Sequence, residues 1–122
     1  MIERKEFFYD LNLDKLVVKV ENISSIDLST LDNIFYNFNV FGFSVIECSI
    51  TENPKNDLLN LFKFFGNPTR HNRADASGFV DITPLDGYSD YLGASNKPHP
   101  FHTDGPFEKI PPKVVVLYCE VP

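Results

Sequence analysis

Over the first half of the chain, apolar residues alternate between the spacing of strands and the spacing of helices. "KLVVKV" (15–20) is a short β-branched run and predicts a strand. Leu31, Ile34, Phe35 and Phe38 then recur at i, i+3, i+4 and i+7, the stripe of an amphipathic helix. Ser29 is placed to cap that helix, Asp32 falls in its first turn, and Gly42 lies just past its end. "FSVIEC" (43–48), rich in β-branched and aromatic residues, predicts a buried strand. A second helix follows. Asn53 is its N-cap and Pro54 its first residue; Leu58, Leu61, Phe62 and Phe65 form the stripe, and Gly66 supplies a left-handed C-terminal cap.

The texture changes at Asn67. Prolines, glycines and polar residues dominate to about Pro112, broken by a predicted strand at "GFVDITPL" (78–85). Loops this long in a small domain are usually functional or disordered. "KVVVLYCEV" (113–121) is nearly all apolar and predicts a central strand covered on both faces. Helices and strands come first, then strands and long loops, an order that gives an α+β or mostly-β fold.

Composition narrows the classes. The chain has 122 residues, the size of one small domain, and its 43% hydrophobic content with 12 Phe is enough for a core. A net charge of −6 without a basic run argues against a nucleic-acid binder. "MIERKEFFYDLNLDK" is too charged for a signal peptide and no run of apolar residues is long enough to span a bilayer, so a cytoplasmic protein away from membranes is expected. Cys48 and Cys119 each lie in an apolar run and read as buried thiols in preference to a disulfide or metal ligands.

The candidate chemistry lies in "PHPFHTDGPF" (98–107). In an extended segment His102 and Asp104 point to the same side, so an imidazole nitrogen and a carboxylate oxygen can reach one ion, while Thr103 points away. One neutral nitrogen and one anionic oxygen suit a divalent metal such as Fe(II), as two corners of a two-histidine, one-carboxylate site. Gly105 and Pro106 turn the chain after them. The same letters also describe a plain turn in which Asp104 accepts turn hydrogen bonds and His102 is a surface residue.

"PFHTDGPF…PPKVVVLYCEVP" resembles the TauD/TfdA (taurine dioxygenase and clavaminate synthase-like) family of Fe(II)- and 2-oxoglutarate-dependent oxygenases. That family shows H-T/S-D, a nearby Phe, a Pro-Pro pair and an apolar strand. "FGFSVIE" and "LLNLFKFFGNPTRH" are more loosely similar to its early strand and to its helix closing on Phe-Gly. The resemblance spans roughly residues 30–122 and implies a double-stranded β-helix, or jelly-roll, with N-terminal helices packed on the sheet. It implies that His102 and Asp104 are iron ligands, with 2-oxoglutarate as co-substrate and a small molecule hydroxylated. It also points to His71 as a substrate-contacting residue. Asn96 and Lys97, just before the ligands, are candidates to line the same mouth, although both also read as ordinary loop residues.

The family's downstream parts are a Gly-Gly-x-Thr segment, a distal histidine as third ligand and an arginine that pairs with the far carboxylate of 2-oxoglutarate. None follows Pro122. The expectation is therefore a single domain, 1–122, forming the N-terminal portion of such a fold, incomplete as a jelly-roll and inactive alone. The strand at 113–121 would carry an open edge, suited to self-association or to a complementing C-terminal half. Two other readings remain open: a non-catalytic truncated remnant or interaction module of the same fold, and a cupin-type metal site using His99, His102 and Asp104. His99, three residues from His102, has the wrong parity to share its face on a strand.

Overall fold

A computed structural model describes residues 12–87 and 92–120. They divide into two compact units, one ending at Phe64 and the other beginning at Phe65.

In the first unit a 3-10 turn, Leu13–Leu16, leads into strand β1, Val17–Asn22. Helix α1, Leu28–Phe41, returns the chain to strand β2, Val45–Ile50, which pairs with β1 in parallel. Parallel neighbours need such a crossover, because a tight turn can only reverse the chain. The register runs from Val17 opposite Val45 to Asn22 opposite Ile50. Helix α2, Pro54–Phe62, follows, so the unit holds two parallel strands and two helices. Its core is Leu16, Val20 and Ile23 from β1 and the turns at its two ends, Leu31 and Ile34 from α1, and Leu58 and Leu61 from α2.

Local signals placed two of the four helix boundaries. Asn53 accepts from the backbone N–H of Asn56 at 3.1 Å, with Pro54 as the first helical residue. Gly42, at φ +85°, closes α1 by donating its N–H to Phe38 O at 2.9 Å. The start of α1 differs from expectation: Asp27, not Ser29, is the N-cap, and Ser29 lies inside the helix. Either residue type can cap; the helix begins where Leu31 and Ile34 reach the strands, which leaves Asp27 at the cap position. Helix α2 ends at Phe62, four residues before Gly66, so Gly66 takes its positive φ in the following turn and not as the cap.

The Asp27 cap carries a pH signature. The backbone N–H of Thr30 donates to its carboxylate at 2.7 Å and holds that carboxyl below the ordinary aspartate value near 3.8. A lowered folded pKa means that the cap's contribution is complete above about pH 5 and is lost as the pH falls through the folded value. The thermal midpoint of Asp27→Ala is therefore expected to fall short of wild type by a constant margin at neutral pH. That margin should shrink below about pH 4. An equal margin at both would refute the charged cap.

Two buried polar side chains refine the expected stripes. On α1 the innermost row is Leu31, Ile34 and Asn37, with Phe35 and Phe38 half-buried beside it. The Asn37 amide donates to Leu16 O at 3.3 Å, satisfying a carbonyl at the start of β1. On α2, Asp57 is buried beside Leu58 and Leu61 and accepts from the Ser24 hydroxyl, which in turn accepts from the Asn60 amide at 3.2 Å. That network ties α2 to the end of β1.

The second unit departs further from expectation. Among the described residues its one regular element is a 3-10 turn, Leu92–Ala94, and its one buried apolar residue is Ala94. The segment 78–85 joins no ladder. Residues 113–120 likewise form no strand, and they are not covered on both faces: Val114 and Val116 are half-buried, while Val115, Leu117 and Tyr118 are exposed. Residue 121 of that predicted strand lies outside the described residues. A strand exists only through its partner, and β-branched residues without a paired neighbour are merely extended chain. Cys48 is half-buried and Cys119 exposed, so the reading of two buried thiols holds for neither; no disulfide includes them.

Candidate metal centre

The segment 98–107 is non-helical and exposed apart from Gly105, and it carries the expected pair two residues apart, outside any regular element. His102 Nε2 stands 3.5 Å from Asp104 Oδ1, with the two side chains 47% and 54% exposed. On the other side of the ring, His102 Nδ1 lies 2.8 Å from Pro100 O. A carbonyl can only accept, so Nδ1 carries a proton and Nε2 is the ring atom turned to the carboxylate. A cation between Nε2 and the carboxylate, whether a second ring proton or a metal ion, bonds to both.

Donors each about 2.0–2.2 Å from a shared ion stand no more than roughly 4.4 Å apart, so a 3.5 Å separation admits one. The Nδ1 contact to a backbone carbonyl is the usual partner of a metal-ligating histidine, fixing its tautomer and orientation. As a half-exposed ion pair alone, the contact is worth about 1 kcal/mol or less, so fold stability is no reason for it.

The remaining candidates sit elsewhere. The His99 ring packs against that of His102, centroids 5.9 Å apart and inclined by 57°. Among the described residues no three His, Cys, Asp or Glu side chains form a group that could hold a metal. His71, half-buried, accepts at Nδ1 from the Arg73 N–H at 3.0 Å, so its ring proton is on Nε2. Asn96 and Lys97 are both exposed.

One feature of the site is not apparent from the motif letters, the Pro100 carbonyl behind the His102 ring. The turn expected from Gly105 and Pro106 is present: the Glu108 N–H donates to Gly105 O at 3.0 Å and Gly105 has φ +56°.

Comparison with known proteins adds no relative: no family model, curated protein or solved structure matches the chain. Among the described residues no helix is long and apolar enough to cross a membrane.

Proposed function

We propose that this chain carries the H-x-D part of the iron centre of a TauD/TfdA-like, Fe(II)- and 2-oxoglutarate-dependent dioxygenase of the hydroxylase type. One observation carries the reading. His102 Nε2 and Asp104 Oδ1 stand 3.5 Å apart, with the ring held from behind by Pro100 O.

In this reading His102 binds the metal through Nε2, Asp104 contributes the anionic oxygen, and the Pro100 carbonyl keeps the ring proton on Nδ1. Fe(II) held there supplies open positions for dioxygen and the 2-oxoacid, chemistry that side chains lack. His71 and Asn96 are candidate donors to a small-molecule substrate. The double-stranded β-helix implied by the resemblance belongs to the same proposal. So does its completion through residues 113–121, by a second copy or by a complementing half that brings the third ligand and the 2-oxoglutarate-pairing arginine. Phe101, Phe107, Ile110 and Leu117 are exposed apolar side chains of the kind such a partner covers.

A second reading, a non-catalytic module of the same fold, is favoured by the openness of the pair, each side chain about half exposed. One experiment separates the two. Anaerobic Fe(II) and 2-oxoglutarate added to the full chain are expected to give the visible charge-transfer band of the ternary complex, absent in His102→Ala. No band in the wild-type chain would rule out a catalytic centre assembled by this chain alone and favour the module.

A further inference from the structure

We infer that the turn Gly105–Glu108, seated on Pro112, is the positioning element that holds Asp104 against His102; the inference rests on the metal reading above. Five glycines of the chain have positive φ: Gly42, Gly66, Gly78, Gly87 and Gly105. At the first four, an added Cβ would meet nothing within 4 Å. At Gly105 it would lie 3.1 Å from Pro112 Cδ and 3.3 Å from Glu108 Cγ. Gly105 is thus constrained twice, by a left-handed backbone and by a close approach to a proline ring.

This contact links the two halves of the motif. Asp104 is the residue immediately before Gly105, so the direction of its carboxylate depends on the peptide that the turn fixes. Pro112 has a rigid ring and a restricted φ, which makes it a stiff stop for the turn. Rigidity elsewhere is scarce, since the flanking residues 98–104 are exposed and belong to no regular element. A site built on such a segment needs support from beneath, and one loosened ångström of displacement is enough to weaken a metal site. The Pro-Pro pair therefore acts as a buttress for the ligand pair, and the glycine is the residue that lets the chain settle on it.

The test is a Co(II) titration of the full chain, followed by visible absorption, with circular dichroism as a check on the fold. Gly105→Ala is expected to weaken binding by about tenfold or more. Gly105→Asn retains easier access to positive φ but carries the same Cβ, so it too should lose affinity. In Pro112→Ala the ring atom is gone. The double variant Gly105→Ala with Pro112→Ala should then bind better than the product of the single losses predicts, as expected of residues in contact. Wild-type affinity in Gly105→Ala or Gly105→Asn, or strictly multiplicative losses in the double variant, would overturn the buttress while leaving the ligand pair standing. Failure of the metal reading looks different: wild type itself would bind no Co(II), and the buttress would fall with it.

Discussion

His102→Ala is expected to lower the affinity of the chain for Co(II) by more than about a hundredfold, since losing a ligand costs at least as much as losing an outer-shell partner. In the proposed site His102 has both halves of a ligand's task. Its Nε2 lies 3.5 Å from Asp104 Oδ1, and its Nδ1 is 2.8 Å from Pro100 O. Without the ring, Asp104 is a half-exposed carboxylate, no different from the many on an acidic surface. Asp104→Asn removes the charge and preserves the shape, so it should cost most of the same affinity; Asp104→Ala should cost no less. His99→Ala supplies the contrast. Its ring packs on His102 without completing a donor group, so binding should stay within about threefold of wild type, below the loss typical of an outer-shell partner. Retained binding in His102→Ala would remove the pair from consideration as a metal site. An equal collapse in His99→Ala would instead favour a three-donor centre of the cupin kind.

The second large effect lies in the other unit. Ile34→Ala is expected to destabilise it by about 2–5 kcal/mol, lowering its thermal midpoint by about 10 °C or more. Ile34 is 1% exposed and sits on α1 between Leu31 and Asn37. Truncation there leaves a cavity under the crossover, and a two-stranded parallel sheet has no other covering helix in its connection to take up the slack. The loss is a large share of the stability of a domain of this size. Leu28→Ala, on the same helix but 79% exposed, should move the midpoint little, which separates core packing from helix propensity. Equal effects of the two substitutions would refute the assignment of the α1 core face.

The parts of this protein legible in its sequence are those decided over a few residues. Asn53-Pro54 starts α2 and Gly42 ends α1, because a cap is a local hydrogen bond and a left-handed φ is a property of one residue. The juxtaposition of His102 and Asp104 belongs to the same class, since alternation in extended chain carries both side chains to one side. Even here small shifts enter. β2 begins at Val45 and not at Phe43, because its ladder starts where Val45 meets Val17.

Apolar character alone was a poorer guide. It placed Phe35 and Phe38 in the centre of α1, whereas the structure buries Asn37 there, because the Leu16 carbonyl requires a donor. The same logic explains Asp57, buried on α2 by its bond with Ser24, thirty-three residues earlier in the chain. No window of sequence contains both partners.

What the sequence by itself determined is therefore the order of the first helices and strands, the Asn53 and Gly42 caps, and a histidine and an aspartate that meet in one short segment. Tertiary structure alone decided which strands exist. β1 and β2 pair across a helix, while the more apolar 113–120 forms no ladder. Folding of the loop also brought the Pro112 ring against Gly105. The physical reason is the same throughout: caps and side-chain parity depend on neighbours along the chain, whereas ladders, buried polar bonds and close approaches depend on partners that only folding supplies.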